Sequence, residues 1–124
     1  VRKGSNEIIL DAYNANPNSM RAAIENLARQ HHPRKVVMIG GMMELGEDSL
    51  KEHAEIIKLL QQYEWQDVWL VGGDFAHVPH SFRYFPGSVE AMQWLQAHPL
   101  QQSLVLVKGS RSMQMEKVMD AFPA

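Results

Sequence analysis

Three short stretches hold the residue types that do chemistry. Asp11-Ala12-Tyr13-Asn14-Ala15-Asn16-Pro17-Asn18-Ser19 gathers a carboxylate, a phenol and three amides. It lies between an apolar run, Ile8-Ile9-Leu10, and a helical pattern, Met20, Ala23, Ile24, Leu27 and Ala28. A polar strand-to-helix turn of this kind suits a small polar ligand. Beyond the carboxyl ends of strands in an open α/β sheet, loop side chains and free helix N–H groups converge. Lys108-Gly109-Ser110-Arg111 sets two cations beside a glycine and a hydroxyl, just ahead of another helical pattern. That is an anion cradle, in which Arg111 suits a carboxylate in bidentate fashion and Lys108 serves as a point charge.

The third stretch is Gly40-Gly41-Met42-Met43-Glu44-Leu45-Gly46-Glu47-Asp48. Gly41 and Gly46 have the spacing of a phosphate loop, but Glu47 and Asp48 stand where Lys and Ser/Thr belong and would repel phosphate. Gly72-Gly73 lacks the third, helix-opening glycine of a dinucleotide fingerprint. The chain therefore has no self-contained nucleotide site. For each polar stretch the plain alternative is an ordinary turn, with Asn18 or Ser19 capping one helix and Ser110 or Ser112 another. His77-Val78-Pro79-His80 has no third ligand nearby and reads as a surface loop, so no metal site is expected. His53, beside Leu50 and Ala54, reads as a packed histidine that a bond to Glu44 would satisfy.

The elements that must position these stretches follow from periodicity. Strands are expected over 7–11, 35–39, 67–71 and 104–107, with a minor one at 82–85. The run Ile8-Ile9-Leu10 is expected to be buried, and Val36-Val37-Met38-Ile39 is apolar on both faces. Helices are expected over 19–30, from Ser49 onward with Ser49 and Glu52 as a capping box, and over 88–97 with Ser88 as cap. The helix over 88–97 would bury Ala91, Met92 and Leu95, and a last one would bury Met115, Val118, Met119 and Phe122. Strands apolar on both faces that alternate with amphipathic helices describe a parallel sheet covered on two sides. The expected fold is an α/β, three-layer Rossmann-like domain with a mainly parallel sheet flanked by helices. All three polar stretches then fall at one edge of the sheet.

Composition narrows the rest. A chain of 124 residues with 45% hydrophobic and 21% charged content supports one domain with one core. A formal net charge of -2 gives no polybasic face for nucleic acid or anionic membrane. No apolar stretch reaches the roughly 20 residues of a membrane span. The absence of cysteine removes disulfides and thiol chemistry. The start, Val1-Arg2-Lys3-Gly4-Ser5, lacks an initiator Met and an apolar leader, so the expectation is a cytoplasmic piece of a longer chain.

Asp-Ala-Tyr-Asn-Ala-Asn-Pro-Asn-Ser-Met after a first strand, Gly-Gly-Met-Met-Glu-Leu-Gly before a helix, and Leu-Val-Lys-Gly-Ser-Arg-Ser-Met near the end are similar to the C-terminal domain of the Mur ligases. The resemblance spans essentially the whole chain, in the family's order and spacing. Within the family it is to the branch that joins UDP-N-acetylmuramoyl-tripeptide to D-alanyl-D-alanine in peptidoglycan synthesis. It implies a three-domain, ATP-dependent ligase working through an acyl phosphate. The N-terminal domain holds the UDP end, and the central domain carries the ATP phosphate loop and Mg2+ ligands. The C-terminal domain closes over both.

Residues 1–124 would then be that closing domain. It would be inactive alone, carry no catalytic residue of its own, and have the two other domains as partners. By position, the resemblance implies that Asp11 accepts hydrogen bonds from the ATP ribose, and that Tyr13, Asn14 and Asn16 line the nucleotide side. Lys108, Ser110 and Arg111 fall on the dipeptide side, with Arg111 first for the D-alanyl-D-alanine carboxylate. Apart from the resemblance, the residues also fit a stand-alone α/β binding module for a small anionic ligand or a protein partner. A hydrolase built on His53 and Glu44 would lack an activated nucleophile.

Overall fold

The structure, a computed structural model, describes residues 1–12 and 14–122. Strand β1 (Arg2–Lys3) turns back on β2 (Asn6–Asp11) as an antiparallel pair. Helix α1 (Pro17–Arg29) leads to β3 (Lys35–Gly40), and a single 3₁₀ turn (Gly46–Asp48) runs into α2 (Ser49–Gln61). Next come β4 (Asp67–Val71), a second 3₁₀ segment (Gly73–His77), β5 (Arg83–Phe85), α3 (Ser88–Ala97) and β6 (Leu104–Lys108). The described chain closes with 3₁₀ segments Arg111–Met113 and Met115–Ala121. The sheet order is β1-β2-β6-β3-β4-β5, and every pair except β1–β2 is parallel.

The expected three-layer α/β architecture is therefore present. Its physical basis is the alternation of side chains across the central strands. Val37, Ile39, Val68, Leu70, Leu104 and Leu106 face one way and pack with Met20, Ile24 and Leu27 of α1 and with Ile56 and Leu60 of α2. Val36, Met38, Trp69, Val71, Val105 and Val107 face the other way, onto Ala91 and Leu95 of α3 and onto Met115 and Val118. Each fully buried side chain of this size contributes roughly 1.5–3 kcal/mol. Two apolar faces on one strand thus demand helices on both sides.

Several local expectations are corrected. Only Ile8 of the first apolar run is buried; Ile9 and Leu10 stay over a third exposed, because β2 has only the two-residue β1 on its outer side. Helix α1 is capped by Asn16, not by Asn18 or Ser19. The Asn16 side chain accepts from the Ser19 N–H at 2.8 Å, the Ser19 hydroxyl accepts from the Asn16 N–H at 3.1 Å, and Pro17 takes the first turn. Ser49 and Ser88 lie inside their helices, after Asp48 and Gly87, so the Ser49–Glu52 capping box does not form. Met92 is only partly buried. The last apolar repeat is 3₁₀, entered through Gln114 at φ 52°, although it buries the expected Met115, Val118, Met119 and Phe122.

Two glycines let β3 and β4 end against each other. A Cβ on Gly41 would stand 2.7 Å from the Gly73 Cα, a backbone atom that has no room to yield. Gly46 differs: it is left-handed at φ +59° but surrounded by open space. Gly41→Ala is expected to destabilise the domain by about 3 kcal/mol through crowding, and Gly46→Ala by only about 1 kcal/mol through backbone conformation. Urea unfolding of the two variants checks the order; equal losses would mean the close approach is not what Gly41 is for.

Candidate functional site

Strands β2, β6 and β3 end on a common rim, with Asp11 opposite Lys108 and Lys108 opposite Ile39. The loops leaving that rim diverge. Those after β2 and β3 enter α1 and α2 on one face of the sheet, and the loop after β6 enters the closing 3₁₀ segment on the other. Divergence of neighbouring connections opens a crevice beyond the strand ends.

Lys108 sits at the bottom of that rim. Its side chain is 1% exposed, and its Nζ donates to Asp11 Oδ2 at 2.5 Å and to the Asn14 carbonyl at 2.9 Å. A buried ammonium without such partners would carry a penalty of several kcal/mol, so the sequence around it is forced to supply acceptors. The consequence is that the Asn14 backbone is held against the end of β6. Asp11 remains 48% exposed along its side chain, so the pair lies at the boundary between core and solvent. By sequence Lys108 groups with Ser110 and Arg111 for an incoming carboxylate. In the structure its charge is directed inward, to Asp11 and the loop.

Above this pair lies a cleft of about 630 Å³. Its walls are Asn14, Ala15 and Asn16 from the β2 loop, Met43, Glu44 and Leu45 from the β3 loop, and Ser110, Arg111 and Ser112 from the β6 loop. That is the size range of a small-molecule site. Of the sequence candidates, Asn14, Asn16, Ser110 and Arg111 meet here. Asp11 and Lys108 stand behind them, and Tyr13 lies outside the described residues. Asn16 has a structural duty as the α1 cap, and the Ser110 and Ser112 hydroxyls are 3.1 Å apart.

The β3 loop is held from beneath by His53. Its buried ring accepts the Met42 N–H on Nε2 at 2.9 Å and lies 2.7 Å from the Ser49 carbonyl on Nδ1, which assigns the proton to Nδ1. The ring also meets Phe75 edge-on at 4.6 Å. His53 is thus satisfied by backbone, with no bond to Glu44. Glu44 was absent from the binding candidates, yet it lines the main cleft and an adjoining one of about 250 Å³, with its backbone at φ 63°. Its only sequence signal was its place between two glycines in a strand-end loop.

A second cleft of about 500 Å³ lies at the opposite edge, near Trp65 and Phe82. Its charges serve the fold. Asp67 pairs with Arg83 at 3.4 Å and accepts the Trp69 indole N–H at 3.0 Å, while Arg83 stacks 4.5 Å from the Trp94 ring. His80 likewise ties its own loop, accepting the Phe82 N–H at 3.1 Å. Among the described residues no group of three or more His, Asp or Glu is arranged to hold a metal, and no helix is long and apolar enough to cross a membrane.

Residues 1–111 match the family described as "Mur ligase, glutamate ligase domain". The chain is 29% identical over 127 aligned residues to a UDP-N-acetylmuramoyl-tripeptide–D-alanyl-D-alanine ligase of Rickettsia prowazekii, covering 95% of this chain and 28% of that protein. It is 35% identical over 116 residues to the ligase of the same name from Haemophilus influenzae, covering 87% of this chain and 25% of that one. Among solved structures, MurF from Acinetobacter baumannii superposes with a TM-score of 0.79 at 32% identity, over 97% of this chain and 28% of the other. MurF ligase from Thermotoga maritima in complex with ADP superposes with a TM-score of 0.81 at 25% identity, over 98% and 29%. The chain spans little more than a quarter of the length of these relatives.

The Lys108–Asp11 pair is unequal, and stability measurements should expose that. Asp11→Ala leaves an ammonium buried with one acceptor and is expected to destabilise by about 2–3 kcal/mol. Lys108→Met replaces the stem with an apolar chain and lets the half-exposed Asp11 return to water, for a loss of about 1 kcal/mol or less. Chemical denaturation at neutral pH checks this. An equal or reversed order would mean Lys108 is not the member that depends on its partner.

Proposed function

The chain belongs to the Mur ligase family, and we propose that it is the closing domain of an ATP-dependent ligase that joins UDP-N-acetylmuramoyl-tripeptide to D-alanyl-D-alanine. The observation that carries this reading is the cleft itself. Three strand-end loops meet around a mixed-charge space, in a chain whose glycine-rich loop cannot cradle phosphate. Such a cleft contributes one side of a site. The names borne by the relatives, and the ADP complex of the Thermotoga maritima protein, support ATP and the muramoyl-peptide chemistry as what the other side holds.

In this reading Asp11 accepts hydrogen bonds from the ATP ribose through the part of its carboxylate that reaches solvent. Asn14 and Asn16, with Tyr13 beside them in sequence, border the nucleotide side. Ser110 and Arg111 border the dipeptide side, where a guanidinium offers paired donors to a terminal carboxylate. Lys108 does not meet substrate; it sets the position of Asp11 and of the Asn14 backbone. Mg2+ and the phosphates belong to the central domain in this reading, because the glycine-rich loop of this chain has Glu47 and Asp48 where a phosphate loop has Lys and Ser/Thr. The work of the domain is positional. It brings the dipeptide amine to the activated tripeptide carboxyl, excludes water that would hydrolyse the acyl phosphate, and does so in the cytoplasm.

The test uses the full-length ligase that carries this chain. Asp11→Asn, which keeps an acceptor for Lys108, is expected to raise the KM for ATP roughly tenfold or more. Lys108→Met, which keeps the Asp11 carboxylate but releases it and the Asn14 carbonyl from their anchor, should raise it by a smaller factor, about three- to fivefold. Arg111→Ala is expected to raise the KM for D-alanyl-D-alanine by roughly 10–100-fold with little change for ATP. An Asp11→Asn enzyme with unchanged ATP dependence, or an Arg111→Ala enzyme impaired only toward ATP, counts against these placements.

A further inference from the structure

We propose that Glu44 reads the amino end of the incoming dipeptide, its carboxylate holding the ammonium in the same cleft in which Arg111 holds the carboxylate. This rests on the dipeptide reading of the cleft given above. A dipeptide of two alanines is a zwitterion with a cation at one end, an anion at the other, and a peptide amide flanked by two methyl groups between. A site that selects it needs an anion, a cation and some apolar surface within one cleft. The lining of the cleft supplies all three kinds of group: Glu44 on the β3 loop, Arg111 on the β6 loop, and the apolar side chains of Ala15, Met43 and Leu45.

Glu44 is held at φ 63°, a left-handed conformation in which a side chain is disfavoured and glycine is relaxed. Among the described residues its carboxylate makes no hydrogen bond or ion pair. Asp11, Asp67 and Lys108, by contrast, each have a partner within the fold. The backbone that carries Glu44 is fixed two residues earlier, where the buried His53 ring accepts the Met42 N–H. A strained, preorganised backbone that presents an unpaired charge to a cleft is the signature of a binding residue.

The full-length ligase tests this with three variants and one probe. Propionyl-D-alanine is the dipeptide with its amine replaced by hydrogen, so it keeps the carboxylate and the methyl groups and acts as a competitive inhibitor. Glu44→Gln is expected to raise the KM for D-alanyl-D-alanine roughly tenfold or more, while the inhibition constant of propionyl-D-alanine and the KM for ATP stay within about twofold of the parent. Glu44→Gly, which relaxes the backbone, should lose the dipeptide equally with a melting temperature unchanged or higher. Arg111→Ala should weaken dipeptide and propionyl-D-alanine together. A Glu44→Gln enzyme with an unchanged dipeptide KM, or one weakened alike toward dipeptide and probe, overturns the assignment while Arg111→Ala still reports on the cleft. If Arg111→Ala leaves both ligands untouched and alters only ATP, the dipeptide reading falls and Glu44's role falls with it.

Discussion

One ammonium group, buried where the central strands end, constrains everything on the working edge of this domain. Lys108 enters the sheet as the last residue of β6 and keeps 1% of its surface, so its charge has to be answered from within. The answer comes from Asp11 on the adjacent strand and from the Asn14 carbonyl beyond it. Two acceptors meeting a single cation tie both Asp11 and Asn14 to the end of β6. Just beyond that tie Asn16 caps α1, and Asn14 and Ala15 form one wall of the cleft. A change of register between β2 and β6 would separate the pair and dismantle the wall along with it.

The opposite walls depend on close packing instead of charge. Met113 and Met115 lie against Gly40 and Gly109, at distances where a Cβ would meet them at 3.2 and 2.6 Å, so the β6 loop is pressed onto the ends of β3 and β6. Gly41 and Gly73 bring the ends of β3 and β4 into backbone contact, and His53 closes the space beneath Met42. The cleft is therefore bordered by loops whose roots are rigid, even where their tips are in solvent. Such roots keep groups on three separate loops in a constant relation, as a positioning surface requires.

The architecture was legible in the sequence because it depends on patterns that repeat. Two-faced apolar strands and 3- and 4-spaced apolar helices leave few ways to bury both kinds of surface, and the three polar stretches mark the rim on which those strands end. What was not legible depends on single tertiary contacts. Nothing in Val107-Lys108-Gly109 tells that the lysine is interior; that follows from β6 lying between β2 and β3, a strand order no local signal encodes. Asn16 carries the same side chain whether it caps a helix or meets a ligand, and only the Ser19 geometry separates the two. Ile9 and Leu10 read as core because they are apolar. Their exposure reflects how little of the sheet lies beyond β2. Glu44 was marked only by its place between two glycines, since a positive φ at a non-glycine residue is visible only in the backbone.

An open cleft with opposed charges is a weak binder for a physical reason. Two unit charges about 4 Å apart attract by roughly 1 kcal/mol when water surrounds them, and by about 4 kcal/mol where the effective dielectric falls to near 20. The groups on this rim are on the watery side of that range as long as nothing covers them. A second surface laid across the loops excludes water and strengthens each contact without moving any of them. Discrimination between ligands is correspondingly sharper in a covered cleft than in an open one. The same arithmetic explains the division of labour along the rim. Lys108 is kept out of water and so can act as a fixed anchor, whereas Arg111 and Glu44 are exposed, where the strength of any charge interaction is set by the water around them.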